Sequence, residues 1–176
     1  MKNSRHGWHW VNILSKLLFS IEPLSSKYDK NAFDCGEPLL NRFLQQQASQ
    51  LQKRSVSRTY LAIDENKQIA GFYSLSTTQI HRDDSPDHLK QFSAYQPIPA
   101  ALIGRLAINE AHQGQGVGRY LLAHALATIK RLSDVIGLAV VVIDAKNQDV
   151  AAFYKRFGFF AANDSDLRLF LLVKSI

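Results

Sequence analysis

With 176 residues, 46% of them hydrophobic and 20% charged, the chain has the size and balance of one globular domain with a substantial core. A single cysteine, Cys35, excludes an intrachain disulfide and fits a reducing compartment such as the cytoplasm. Six histidines without paired ligand spacing give no metal site, and no stretch nears the roughly 18 apolar residues that span a bilayer. The net charge of +6 suits an acidic cofactor or a nucleic acid, with a merely solvated basic surface as the plainer reading.

Residues 1–18 read as an N-terminal extension. Residues 8–21 are mildly apolar behind Lys2 and Arg5, but Asn12, Ser15 and Lys16 interrupt them and no small-residue cleavage site follows, so they do not make a secretory signal. The domain is expected to occupy residues 19–176. Asp34-Cys35-Gly36-Glu37-Pro38 reads as a helix start, with Asp34 or Cys35 near the cap and Pro38 in the first turn. Leu40, Phe43, Leu44, Gln47 and Leu51 continue it as an apolar-facing stripe, and Lys53, Arg54 and Arg58 gather near its end. Residues 59–64 and 68–80 alternate as two strands of a hairpin turning at Glu65-Asn66-Lys67. Residues 81–99, polar and with three prolines, read as a long loop containing a helical turn, and residues 101–108 as a strand.

That strand leads into Gln113-Gly114-Gln115-Gly116-Val117-Gly118 and a helix with apolar residues at 121, 122, 125, 126, 129 and 132. Three glycines in five residues leave little side-chain bulk. Backbone N–H groups at the helix start, with the positive end of the helix dipole, then make an anion cradle suited to a pyrophosphate. Taken alone, the run leaves a plain glycine-rich turn open. It is neither the G-x-G-x-x-G of a dinucleotide site nor a phosphate-binding P-loop.

Residues 138–143 are a continuous β-branched apolar run, expected as a strand buried on both faces. Residues 147–157 follow as a short helix with Val150, Phe153, Tyr154 and Phe157 on one face, and Gly158 is placed to stop it in the left-handed conformation. By itself Tyr154 is one more core aromatic. Residues 167–173 form a last apolar strand.

Q-x-x-G-x-G after Arg105-Leu106-Ala107-Ile108 resembles the acetyl-CoA loop of the GNAT superfamily of N-acetyltransferases, and Asn147 to Phe159 resembles the asparagine-to-tyrosine stretch of the same superfamily. The element order α, β, β, loop, β, α, β, α, β agrees. The resemblance implies an α/β (α+β) GNAT fold over roughly residues 20–175, one domain with a mixed, splayed central sheet flanked by helices. It implies acetyl-CoA as cosubstrate and no metal, with the cofactor between the strands ending near Ile108 and Ile143. The main chain of Leu106, Ala107 and Ile108 would bind the pantetheine arm. Gln113, Gly114, Gln115, Gly116, Val117, Gly118 and Arg119 would hold the pyrophosphate, and Asn147 would meet the pantetheine amides. Tyr154 would protonate the departing thiolate, and no residue stands out as general base.

Phe33-Asp34-Cys35-Gly36, Ala70-Gly71-Phe72-Tyr73-Ser74-Leu75, Gly104-Arg105-Leu106-Ala107-Ile108 and the terminal Leu169-Phe170-Leu171-Leu172-Val173-Lys174 are similar to one GNAT branch, the acetyltransferase toxins of bacterial type II toxin–antitoxin pairs. The branch implies acetylation of the α-amine of aminoacyl-tRNA, which blocks translation, and a ribbon–helix–helix antitoxin as partner. Lys53, Arg54 and Arg58 are the candidate tRNA contacts, and a homodimer is left open. The competing readings are a housekeeping GNAT acting on a protein N-terminus or a small amine, and a non-catalytic acetyl-CoA-binding module.

Overall fold

The computed structural model describes residues 19–81, 86–92, 94–95, 97–163 and 166–176. The extension 1–18 and residues 82–85 of the polar loop lie outside the described residues. The strands are β1 (Ser20–Pro23), β2 (Arg58–Ile63), β3 (Ile69–Ile80), β4 (Ile98–Ile108), β5 (Val140–Asp144), β6 (Phe160–Ala161) and β7 (Arg168–Leu172). They are hydrogen-bonded in the order β1-β2-β3-β4-β5-β7-β6. β4 and β5 pair in parallel through Ala100–Ile103 and Val140–Ile143, while the β1–β2, β2–β3, β5–β7 and β6–β7 pairs are antiparallel. The sheet is therefore mixed, as expected of the GNAT fold.

The chain forms two compact units. The first combines the described residues up to Leu75 with Arg105–Ala125, and the second combines Ser76–Gly104 with Leu126–Ile176. In the first unit, the hairpin turn predicted at residues 65–67 is closed by Asp64. Its Oδ1 accepts the backbone N–H groups of Asn66 (2.9 Å) and Gln68 (2.8 Å), an Asx arrangement that fits aspartate. Phe33, Phe43, Leu44, Leu61, Ile63 and Phe72 are buried together in its core.

The first helix departs from its predicted phase. Pro38 opens α1 (Pro38–Arg42), with Glu37 as the cap residue rather than Asp34 or Cys35. A π-helical turn, Phe43–Gln47, then precedes α2 (Ala48–Lys53), and the Ala48 N–H bonds to the Phe43 carbonyl five residues back. The wider turn shifts the inward face by one position. Ala48 is fully buried, while Gln47, expected in the stripe, is exposed.

In the second unit, Val140, Val141, Val142 and Ile143 are all buried, in agreement with a strand covered on both faces. The long loop contains a 3-10 turn, Asp87–Phe92. Helix α3 (Val117–Ser133) starts in the first unit and ends in the second. Leu121, Leu122, Ala125, Leu126 and Ile129 are buried as the stripe predicts, but Leu132 is 43% exposed, and Thr128, outside the stripe, is buried. Helix α4 spans Gln148–Lys155.

Candidate functional site

In the first unit the candidate residues fall at the end of β4 and the start of α3. Gly71 lets β3 and β4 lie close, because a Cβ there would fall 2.8 Å from the Ala107 carbonyl oxygen. Ala107 is buried, and Leu106 and Ile108 are half-buried. A 3-10 turn, Glu110–His112, follows, capped by the Asn109 side chain, which accepts from the Ala111 N–H at 3.1 Å. His112 Nε2 lies 3.2 Å from Asp64 Oδ2, so the hairpin turn also anchors this segment.

The glycines that come next are not equivalent. Gly114 (φ +76°) and Gly116 (φ +83°) have left-handed backbones, and a Cβ at either would meet nothing within 4 Å. They are needed for conformation, and the space beside them is open. At Gly118 a Cβ would make ordinary contact, 3.7 Å, with the Ile108 side chain. The first backbone bond into α3 runs from Tyr120 N–H to the Gly116 carbonyl (3.1 Å), so the N–H groups of Val117, Gly118 and Arg119 precede the helical ladder. Open space beside two left-handed glycines, at the positive end of a 17-residue helix, fits a pyrophosphate. Arg119 is exposed there, and Val117 is buried beneath it as the anchor of the turn.

The glutamines serve the turn itself. Gln115 Nε2 donates to the Ala111 carbonyl at 2.9 Å. Gln113 Nε2 donates to the carbonyls of Ile108 (3.2 Å) and Cys35 (3.4 Å), so its side-chain amide is directed into the protein frame. Cys35 belongs to the turn before α1, where Asn41 Oδ1 accepts from both the Cys35 N–H (3.0 Å) and its Sγ (3.1 Å). Asn41 Nδ2 donates to Asp34 Oδ1 at 2.7 Å, and the Gly36 N–H donates to the same oxygen at 2.9 Å. These bonds hold the Asp34 carboxyl below its ordinary pKa, the Gly36 N–H contributing most, while burial pushes the Cys35 thiol up.

In the second unit Asn147 caps α4, its side-chain oxygen accepting from the Val150 N–H at 2.9 Å. That leaves Nδ2 as the group able to meet a pantetheine carbonyl. Tyr154 is 5% exposed, with Phe153 edge-on at 5.2 Å and Phe159 at 5.8 Å. Burial pushes its phenol up to about 12. Gly158 (φ +89°) follows α4 in the left-handed conformation.

Lys53, Arg54 and Arg58 are exposed in the first unit, at the end of α2 and the start of β2. Gln52 fixes this corner by donating to the Leu24 carbonyl (3.0 Å) and accepting from the Thr59 N–H (3.3 Å). Sequence reasoning missed Arg105 as a placed side chain. It lies over the Phe43 ring, a contact with no local signal. Among the described residues no group of three or more His, Cys, Asp or Glu could hold a metal ion, and no helix is long and apolar enough to cross a membrane.

Residues 55–160 match the acetyltransferase (GNAT) domain family. The chain is 30% identical over 151 residues to the "tRNA-acetylating toxin" of Mycobacterium tuberculosis, covering 86% of this chain and 90% of that protein. It is 32% identical over 169 residues to the "probable toxin TacT" of Sinorhizobium fredii, covering 89% and 92%. Among solved structures, a tyrosine-to-phenylalanine variant of KacT superposes with a TM-score of 0.83 at 31% identity, covering 90% of this chain and 96% of that one. AtaT complexed with acetyl-methionyl-tRNAfMet gives 0.81 at 32% identity, covering 89% and 96%. A variant of the AtaT toxin bound to acetyl-CoA and the C-terminus of the antitoxin AtaR gives 0.76 at 31%, covering 89% and 94%. The chain belongs to the GNAT family of acetyltransferases.

Proposed function

We propose that this GNAT enzyme transfers acetyl from acetyl-CoA to the α-amine of aminoacyl-tRNA, as the toxin of a toxin–antitoxin pair working in the cytoplasm. The observation that carries this reading is the likeness to AtaT in its complex with acetyl-methionyl-tRNAfMet, over nearly the whole of both chains. The similarity to a tRNA-acetylating toxin supports it independently of the fold.

The residues divide the chemistry as follows. N–H groups at the start of α3, with the left-handed turn at Gly114 and Gly116, bind the cosubstrate's pyrophosphate, and Arg119 adds charge. Main-chain groups of Leu106–Ile108 orient the pantetheine arm, with Asn147 Nδ2 as a further donor. The neutral α-amine attacks the thioester carbonyl, the C–S bond breaks, and Tyr154 gives its proton to the departing sulfur. A phenol held near 12 stays protonated across physiological pH, as a general acid must. No general base is required of the protein. An α-amine has a pKa of about 7.7–8.0, so a sizeable fraction is already neutral, and water takes the proton lost later. Lys53, Arg54 and Arg58 contribute contacts to tRNA phosphates. The partner is an antitoxin of ribbon–helix–helix type, and residues 19–176 act as the transferase domain.

The test supplies purified protein with mixed aminoacyl-tRNAs and labelled acetyl-CoA and identifies N-acetylated amino acids by mass spectrometry. Acetylated aminoacyl-tRNA, with growth arrest on expression that the antitoxin relieves, is expected. Label confined to polyamines or protein N-termini, with no growth arrest, would make this a housekeeping enzyme.

A further inference from the structure

Arg105 is held in an unusual way. Its guanidinium carbon lies 4.0 Å above the centroid of the Phe43 ring. That ring is fixed: Phe43 is 1% exposed, opens the π-helical turn, and stacks on Phe72 at 5.9 Å with a 23° tilt. Phe72 is in turn met edge-on by Phe33 at 5.4 Å. A guanidinium carbon held over a ring face leaves N–H donors free to point away from the ring, in a fork that matches a phosphate. Among the described residues, none of those donors has a hydrogen-bond or ion-pair partner.

Arg105 is exposed as a residue, yet its guanidinium lies partly out of water against the ring. That desolvation alone lowers its pKa, with no carboxylate opposing it. A cation withdrawn from water without a counter-charge is unfavourable, and an anionic ligand removes the penalty. The π-helical turn beneath it is a second departure from regular structure, of the kind that gathers at functional sites.

Two anions are available in the proposed reaction, the cosubstrate's pyrophosphate and the RNA backbone. Position distinguishes them. Arg105 lies three residues before the end of β4, about 10 Å at the usual rise per residue, whereas the glycine turn begins beyond that end. Alternation along the strand puts Arg105 on the face of Ala107, which packs in the core beside Phe43. The Ile108 side chain is on the other face, toward Gly118.

We propose that Arg105, held on Phe43, is a phosphate clamp for the single-stranded end of the aminoacyl-tRNA acceptor. The inference rests on the proposed function and adds to it a residue that reads the nucleic acid next to the reacting amine. Stacking fixes the fork before the substrate arrives, so little freedom is lost on binding.

The experiment compares wild type, Arg105→Ala and Arg105→Lys on two acceptors that share an amino acid: the aminoacyl-tRNA and the aminoacyl methyl ester, which has no phosphate. With Arg105→Ala, the KM for aminoacyl-tRNA should rise about 10- to 100-fold, the range for losing a charged hydrogen bond. Arg105→Lys, which keeps the charge and loses the fork, should fall between. The salt dependence of kcat/KM on tRNA should become shallower by about 0.7 in log–log slope. The KM for acetyl-CoA and turnover of the ester should stay within about twofold of wild type, a pattern that general structural damage would not give. Phe43→Leu, which keeps an apolar side chain but removes the platform, should raise the tRNA KM in the same direction. An unchanged tRNA KM in Arg105→Ala, an equal loss on the ester, or a raised acetyl-CoA KM would overturn the clamp. So would unchanged kinetics with weakened inhibition by the antitoxin, which would assign Arg105 to a protein partner. Wild-type protein that acetylates the ester and not the charged tRNA would refute the function itself.

Discussion

The side-chain amide of Gln113 donates to the main-chain carbonyl of Cys35 across 3.4 Å, joining the glycine turn to the turn that precedes the first helix. Two sequence motifs separated by 78 residues are thereby one structural element. Asn41 ties the Cys35 N–H and the Asp34 carboxylate together on the far side of the same link.

Gln113 and Gly116 should therefore respond differently to substitution. Gln113→Ala removes a strut and leaves the cradle's N–H groups in place, so acetyl-CoA affinity should fall by about three- to tenfold, the value of one or two ordinary hydrogen bonds. Gly116→Asp forces a side chain into a left-handed backbone at φ +83° and sets a carboxylate against the phosphates, so affinity should collapse. Isothermal calorimetry on folded variants checks both. An unchanged affinity in Gly116→Asp would remove the turn from the cofactor site.

Tyr154→Phe keeps the ring against Phe153 and Phe159 and deletes the proton donor. Turnover should fall about 10²–10⁴-fold, with acetyl-CoA binding little changed. Single-turnover measurements on aminoacyl-tRNA read the chemical step. Near-wild-type rates there would make Tyr154 a packing residue only.

The same phenol makes an alkaline prediction. A tyrosine titrates near 10 when unfolded, and burial raises Tyr154 to about 12. A folded pKa above the unfolded one means that the stabilisation is complete below about pH 10 and is lost as pH rises toward about 12. The loss attributable to this group is on the order of 2 kcal/mol. Denaturant melts between pH 9 and 11.5 should show a steeper alkaline decline in wild type than in Tyr154→Phe, which has no phenol to ionise.

What could be read from the sequence was what the chain encodes locally. The run from Gln113 to Gly118 announces a left-handed turn before a helix, because glycine spacing and apolar period lie within one short stretch. β5 was visible as an unbroken β-branched run, and the hairpin as turn residues between alternating segments. β1 and β6 were not: at four and two residues, one ending in Pro23, they carry too few side chains to display a period. The stripe through Gln47 was misassigned because nothing in Phe43–Gln47 marks a π turn, and the 3.6-residue period was carried through a segment that does not have it. Asp34 looked like a helix cap and instead accepts from the Gly36 N–H and the Asn41 side chain, closing a turn ahead of the helix. Arg105 on Phe43 was invisible because the two meet only through the sheet and the first helix.

The π-helical turn also bears on how this protein tolerates insertions and deletions. Each residue added to or removed from a helix rotates everything beyond it by about 100°. Phe43–Gln47 holds one residue more than an α turn and ends in Ala48, which is fully buried. Deleting one glutamine from the run Gln45 to Gln47 would leave composition and charge almost untouched and restore a regular helix. The π turn already absorbs that extra residue, so Ala48 and Gln52 would keep their orientation and Gln52 its bonds to Leu24 and Thr59, leaving the basic corner of Lys53, Arg54 and Arg58 in place. A residue added within α2, where no wide turn absorbs it, would instead rotate the basic corner about the helix axis, so the π turn makes the stretch before Ala48 the place where this helix can lose a residue.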